Sequence, residues 1–180
     1  MKRRRFLKQG ALATGALVVG VPVVWVASGP GSSDATSAWA QSVLDDFEAR
    51  GLERLQASGV WSPAQVFVHL AQSIEYSLSG YPELRSEIFR STVGSVAFAA
   101  FSARGQLIHG RSDPIPGAPA LPEAIPLEDA LQRLRDAIDA FGRHTGSLHP
   151  HFAYGVLSPR DYEIAHALHL RDHLVELESV

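Results

Sequence analysis

The sequence contains no cysteine among its 180 residues. Disulfide bonds, thiolate metal ligands and a cysteine nucleophile are therefore excluded, and a reactive site must use histidine, carboxylate, hydroxyl or backbone groups. A glycine-rich phosphate loop and an internal repeat are absent as well. With 46% hydrophobic and 19% charged residues, the chain is long enough for one domain with a packed core. That domain must be stabilised by packing alone.

Positive charge is scarce beyond the N-terminus. Five of the sixteen basic residues lie at the start of the chain, at Lys2, Arg3, Arg4, Arg5 and Lys8. From Gln41 onward there are 11 basic and 18 acidic residues, a net charge of −7. A nucleic-acid partner would require a basic face that neutralises phosphates, so this composition argues against one, and also against adhesion to anionic lipid.

Residues 1–40 are predicted to be a targeting segment. The stretch Lys2–Lys8 resembles the twin-arginine signal, with lysine in place of its leading Ser or Thr, and a glycine-interrupted apolar run follows at 10–27. Ala38-Trp39-Ala40 offers a small-x-small cleavage site. We therefore expect export by the twin-arginine translocase and a periplasmic or otherwise extracytoplasmic domain of residues 41–180. The alternative is an uncleaved membrane anchor, since the run is nearly long enough to cross a bilayer.

Hydrophobic spacing predicts an all-α domain with four main helices. Apolar residues recur at helical intervals in four segments, residues 39–56, 63–79, 127–143 and 159–178. Ser62-Pro63 and Ser158-Pro159 each supply a capping residue followed by a proline suited to the first helical position. The second and the last helix are therefore expected to begin at these two pairs.

The segment between the second and third main helices is long. Residues 83–104 fit a helix, although Thr92, Val93 and Val96 would also suit a strand. Five prolines then interrupt residues 105–126, which predicts an irregular crossover. The expected architecture is a four-helix bundle with a long crossover between its second and third main helices.

Three histidines are predicted to share one face of the last helix. At about 100° per residue, His166, His169 and His173 fall in a narrow sector together with Tyr162. The spacing of His169 and His173 lets two imidazoles reach one metal ion from a single helix. Because Leu170 follows His169, the zinc-protease pattern with a glutamate at that position is not present.

A further ligand must come from another segment. His69 lies in the middle of the second predicted helix on a polar face, which suits either solvent exposure or the lining of an internal cavity. His144, His149 and His151 follow the third main helix and are expected to be exposed loop residues. The functional alternative makes His149 or His151 a mobile acid or base at a cavity mouth, and His151 is the catalytic candidate.

Six short segments form a combination that extends over nearly all of residues 41–180: Trp61-Ser62, His69–Ser73, Ser79–Pro82, Pro114–Pro119, His149–Phe152 and His169–Leu174. This combination resembles the DinB/YfiT-like superfamily, and more closely a branch of domains of unknown function within it. The resemblance implies a four-helix bundle whose metal is held by one histidine of the second helix and two of the fourth. In this chain those ligands would be His69, His169 and His173.

Other polar residues are expected around these ligands. Many relatives have a histidine at the position of Asp172. His166 adds a further imidazole, which either contacts a metal ligand without binding the metal or is itself an alternative ligand. Asp172 and Tyr162 are the other expected neighbours. Glu163 and Glu176 are suited to the same role or to being solvated charges.

Three neutral imidazoles suit zinc or nickel, and also iron(II) or copper, rather than magnesium or calcium. A metal so held activates water for hydrolysis or binds a low-molecular-weight thiol as its thiolate. The resemblance implies thiol transfer or thiol-dependent isomerisation, so we expect a metal-dependent transferase or hydrolase acting on a small molecule.

Two alternatives to an enzyme stay open. One is a non-catalytic exported bundle that binds a metal or a ligand, and the other is a structural histidine stripe satisfied by Tyr162, Glu163 and Asp172. A bundle this small is compatible with a homodimer, although no sequence feature specifies one.

Overall fold

The computed structural model describes residues 33–179, with side chains from 38 to 178. The twin-arginine motif and the apolar run at 10–27 lie outside the described residues. No helix within residues 33–179 is long and apolar enough to cross a membrane. The predicted cleavage triplet does lie in a described helix, where Ala40 is 1% exposed and belongs to the core. Cleavage before Gln41 would remove this core residue.

Helix α1 spans Ser33–Arg50 and ends earlier than the predicted residue 56. Gly51 follows it with φ 92°, a backbone conformation that residues with a side chain rarely adopt, so the helix cannot continue. A 3-10 turn, Leu52–Arg54, and a short strand, β1 at Leu55–Ala57, come next. Leu55 still reaches the core, but from the strand rather than from a helical stripe.

Helix α2 spans Pro63–Ser79, as predicted. The Ser62 side chain accepts a hydrogen bond from the Gln65 backbone N–H, and the Gln65 side chain accepts one from the Ser62 backbone N–H. This reciprocal pair satisfies donors that a helix start leaves free. The helix ends at Gly80, whose φ is 101°.

The segment 83–104 is helical from residue 87, so the strand alternative for it is wrong. It comprises α3 at Glu87–Phe89, a π-helical turn at Arg90–Gly94 and α4 at Ser95–Arg104. A Cβ added at Gly94 would overlap the carbonyl oxygen of Ala153, so the missing side chain permits close contact with the loop at 149–155.

Residues 105–126 contain no helix or strand, as predicted. Two apolar side chains of this crossover, Leu107 and Ile115, are buried and anchor it to the body. Arg171 also donates a hydrogen bond to the carbonyl oxygen of Gly105. The part of the crossover that contains His109 is thereby held against the rest of the domain.

Helix α5 spans Leu127–Arg143 as predicted, and α6 spans Pro159–Leu174. The predicted end of the last helix at 178 is wrong, because Leu177–Ser179 form strand β2 antiparallel to β1. The Ser58 backbone N–H also donates to the Glu176 carbonyl oxygen at 2.9 Å. Tertiary hydrogen bonds thus replace the helical ones that these last residues would otherwise form.

The domain is mostly helical, and α2 lies at its centre. Helix α2 packs against α5 and α6, while α1 packs against the same two helices. The core between them is fully apolar at its centre, with the large buried side chains Leu44, Phe67, Leu70, Leu131 and Leu134. Because His69 immediately precedes Leu70, this packing fixes the position of its backbone.

Candidate metal centre

Four histidines from three parts of the chain converge at one point. His69 lies on α2, His169 and His173 lie on α6, and His109 lies in the crossover. One ring nitrogen of each lies within 4.8 Å of those of the other three. The Nε2 atoms of His69 and His169 are 3.1 Å apart, and those of His109 and His173 are 3.2 Å apart.

The two helices position three of the rings. His169 and His173 are one turn apart on α6, and α2 packs against that helix with His69 between them. The Trp61 ring, just before α2, lies 4.7 Å from the His69 ring and stacks on His173 at 6.0 Å between ring centroids. Trp61 therefore provides an apolar wall on one side of the cluster.

The spacing of the four nitrogens suits a tetrahedral metal. Zinc–imidazole bonds of about 2.0–2.1 Å place neighbouring ligand atoms roughly 3.3 Å apart, close to the two shortest separations here. A neutral imidazole carries a single proton, so in the absence of metal one Nε2–H of each close pair can donate to the other Nε2. A bound cation would instead use the lone pairs of both nitrogens.

Polar groups lie behind two of the rings. Asp172 Oδ2 lies 3.0 Å from His109 Nδ1, and the same carboxylate contacts Arg111 at 3.3 Å. The angle of the His109 contact is not that of a hydrogen bond, so the carboxylate acts on this ring through its charge. His169 Nδ1 lies 3.1 Å from Ser73 Oγ. The Nδ1 atoms of His69, His109 and His173 are buried with no hydrogen-bond partner in the described part of the chain.

The environment keeps the cluster in the form that binds metal. Burial lowers the pKa of His69 to about 4 and that of His173 to about 3, with smaller contributions from neighbouring histidines. Burial also holds the pKa of His169 well below its usual value. The pKa of His109 is lowered by burial, against the opposing effect of Asp172. All four imidazoles are therefore neutral at pH 7 and available as ligands.

A cavity of about 260 Å³ adjoins the cluster. His69, His109 and His169 form part of its wall, so a group bound in the cavity would lie next to the converging nitrogens. Much of the remaining wall is aromatic or aliphatic, as in typical small-molecule sites.

The DUF1569 family model, described as a protein of unknown function, matches residues 40–180. The chain belongs to this family. The matched residues include all four clustered histidines. No curated protein and no solved structure is detectably similar to the chain.

Two residues expected near the ligands of this DUF1569 domain have polar contacts outside the four converging histidines. His166 Nε2 lies 3.2 Å from Ser77 Oγ, and His166 also lines the cavity with His69 and His169, so its role beside the ligands stays a prediction. The hydroxyl of Tyr162 donates to the His149 carbonyl oxygen at 2.6 Å rather than to a clustered ring. The first two turns of α6 therefore direct these two side chains to partners outside the cluster.

The prediction that His151 is an exposed loop residue is wrong. The residue is 8% exposed, and its Nδ1 accepts hydrogen bonds from two backbone N–H groups of its own loop, at Ala153 and Tyr154. Burial lowers the pKa of His151 to about 3. His151 does line the cavity, so its role as the catalytic candidate stays a prediction. His144 and His149 are exposed, as expected.

His109 is the clustered residue that sequence reasoning missed. It is a single histidine between prolines and glycines in an irregular segment, where no periodicity shows which way a side chain faces. The sequence contains only a weak indication that His109 belongs to a site. The crossover is longer than a simple connection needs to be, which is typical of functional loops, and it carries Arg111 two residues after His109.

Replacing Asp172 by asparagine is expected to weaken zinc binding about tenfold or more, because the negative charge beside His109 raises the basicity of that ring. Competition with a chromophoric chelator would measure the affinity. Glu178→Gln, at an exposed carboxylate outside the cluster, is the control and should bind zinc as the parent does. An unchanged affinity in Asp172→Asn would show that His109 needs no such support.

Proposed function

We propose that this DUF1569 domain is a metal-dependent enzyme that acts on a small molecule. The observation that carries the proposal is the convergence of four neutral imidazole nitrogens within 4.8 Å beside a cavity. His69, His169 and His173 would hold a divalent transition metal, and His109 would complete the set.

Zinc fits this donor set best. An all-nitrogen donor set without thiolate or carboxylate ligands suits zinc, with nickel, iron(II) or copper as the other metals that imidazole binds well. A metal in this position would polarise a substrate oxygen or lower the pKa of a bound water or thiol. The resemblance to the DinB-like superfamily supports a four-helix bundle of that type and thiol transfer or hydrolysis as the reaction.

The position of His109 favours an enzyme. Three of the histidines lie on rigid helices, whereas His109 lies on an irregular crossover and its side chain is 26% exposed. If the His109 side chain moves out of the cluster, the three histidines on the helices would keep the metal. The coordination position that His109 leaves would then face the cavity. Catalytic zinc sites have this form, with three protein ligands and one exchangeable position.

A non-catalytic metal-binding bundle is the second candidate. Four protein ligands with no open position are typical of structural zinc sites. If His109 stays bound, the domain would use the metal for stability or storage only. The export of the protein through the twin-arginine route is part of the same proposal and rests on the sequence alone.

Metal analysis of protein purified without a histidine tag tests the proposal. We expect about one equivalent of transition metal in the parent and little in His69→Ala, with His144→Ala, an exposed histidine, as the matched control. Absence of metal in the parent after incubation with zinc or nickel would contradict the proposal and favour a structural histidine stripe.

His109→Ala separates the two candidates. For an enzyme, this variant should keep its metal and turn over thiol acceptors or activated esters at least as fast as the parent. A metal-loaded parent and variant that both lack turnover would favour the non-catalytic bundle.

A further inference from the structure

The cavity beside the histidine cluster has a chemically distinct part, made by α4 and the loop at 149–155. Four aromatic side chains line it, namely Phe98, Phe101, Phe152 and Tyr154. Phe98 and Tyr154 pack with their ring centroids 5.4 Å apart. Such a wall favours a flat apolar group by dispersion and ring-edge contacts.

His151 supplies a fixed hydrogen-bond donor in this wall. Its Nδ1 accepts from the backbone N–H groups of Ala153 and Tyr154, both at 3.2 Å, so the single proton of the neutral ring is on Nε2. Backbone hydrogen bonds to and from Gly155, at 2.8 and 3.1 Å, hold the loop, and the ring stacks on Tyr154. The Nε2–H group has no hydrogen-bond partner in the described part of the chain, although the residue is only 8% exposed.

Arg85 is an exposed residue that also lines the cavity and brings a positive charge to it. Its backbone N–H donates to the Phe152 carbonyl oxygen at 2.9 Å, which holds its backbone beside the His151 loop. Its guanidinium lies 5.6 Å from the centre of the Phe89 ring and forms no ion pair with a carboxylate of residues 38–178. An unpaired cation and an unpaired neutral donor together favour an anionic oxygen ligand.

We propose that the cavity binds a small aromatic or similarly compact apolar carboxylate, whose carboxylate is received by His151 and Arg85. The apolar body lies among the four aromatic side chains. The opposite end of the ligand then points toward His69 and His169, where the converging nitrogens lie.

The volume suits a ligand of about one ring. An apolar cavity of about 150 Å³ holds a benzene molecule, so about 260 Å³ accommodates one ring with a few further heavy atoms. A carboxylate group and a ring together fill the space and use both polar residues.

Calorimetric titration with benzoate and with toluene, on zinc-loaded and metal-free protein, tests this proposal. We expect benzoate to bind in a 1:1 ratio to both forms and more tightly than toluene. His151→Asn keeps an acceptor near the Nδ1 position but removes the Nε2–H donor, and Arg85→Gln removes the charge. Each should weaken benzoate binding by about 3-fold to 10-fold and leave toluene binding unchanged.

Ala165→Leu is the variant that fills the cavity, because Ala165 lies in its wall on α6. It should weaken both probes by roughly tenfold or more, while His144→Asn, outside the cavity, should bind them as the parent does. Both results would support the cavity as the binding place.

Failure of this proposal is distinguishable from failure of the metal site. Benzoate binding that requires zinc and is insensitive to His151→Asn and Arg85→Gln would overturn it, because the carboxylate would then lie on the metal. A metal-loaded protein that binds neither probe would overturn it as well. Benzoate binding to a protein that holds no metal would support it even though the proposed enzyme had failed.

Discussion

Zinc is expected to raise the midpoint of thermal unfolding of the metal-free protein by roughly 8–16 °C when free zinc exceeds its dissociation constant a thousandfold. Binding to the folded state alone contributes about 4 kcal/mol at that ratio, and a domain of this size gains about 2–4 °C per kcal/mol. The metal-free protein also buries the Nδ1 atoms of His69, His109 and His173 without a hydrogen-bond partner in the described part of the chain. Differential scanning calorimetry with and without zinc would measure the shift.

The double variant His169→Ala/His173→Ala is the control for that shift. It removes both ligands that α6 contributes and leaves His69 and His109, which cannot hold zinc tightly by themselves. Its midpoint should not respond to zinc. An equal response in the parent and the double variant would show that zinc binds elsewhere on the chain.

Acidification from pH 7 to pH 5 is expected to unfold the metal-free protein. Burial lowers the pKa of five histidines: to about 4 for His69, to about 3 for His151, His166 and His173, and well below the usual value for His169. In the unfolded chain these groups titrate near 6.5, so between about pH 6.5 and pH 4 the unfolded state binds more protons. Stability is therefore fully present above pH 6.5 and falls as the pH falls.

The expected size of this loss is large. Each of the four histidines whose pKa falls to about 3 or 4 costs about 2 kcal/mol at pH 5, so these four together cost about 8 kcal/mol, comparable with the whole stability of a typical domain. The cost at pH 5 depends little on these four native pKa values, because they lie below that pH. Circular dichroism during an acid titration would follow the loss of helix.

A single replacement checks the origin of the acid sensitivity. His166→Gln keeps a polar group near Ser77 but cannot take up a proton, so its unfolding midpoint should lie at lower pH than that of the parent. Retention of native helix down to pH 4 in the metal-free parent would contradict the assignment of these histidines as buried and neutral.

Much of the fold was predictable from local signals. The pairs Ser62-Pro63 and Ser158-Pro159 marked two helix starts, because a hydroxyl cap and a proline at the first position act within one turn. The periodic segment 127–143 became α5 without a change of bounds. The helix ends at Arg50 and Leu174 were missed, because the apolar pattern continues past both residues. Gly51 ends the first of these helices, and the pairing of β1 with β2 takes the residues after the second.

Part of the candidate site was predictable for the same reason. Histidines four residues apart on a helix share a face whatever surrounds them, so His169 and His173 were expected to act together. The same rule placed His166 on that face, yet the structure directs it to Ser77 rather than to the cluster. A helical face is broad, and only the packed neighbours decide which part of it meets a given site.

The sequence by itself determined the helical class of the domain, the absence of thiol chemistry and the pairing of two histidines on one helix, because composition and local periodicity specify these directly. The tertiary structure alone decided that His109 joins them and that His151 is buried rather than exposed. Both residues lie in irregular segments, where side-chain direction follows from contacts with other segments and not from any repeat in the sequence. Examples are the burial of Leu107 and the hydrogen bond from Arg85 to Phe152.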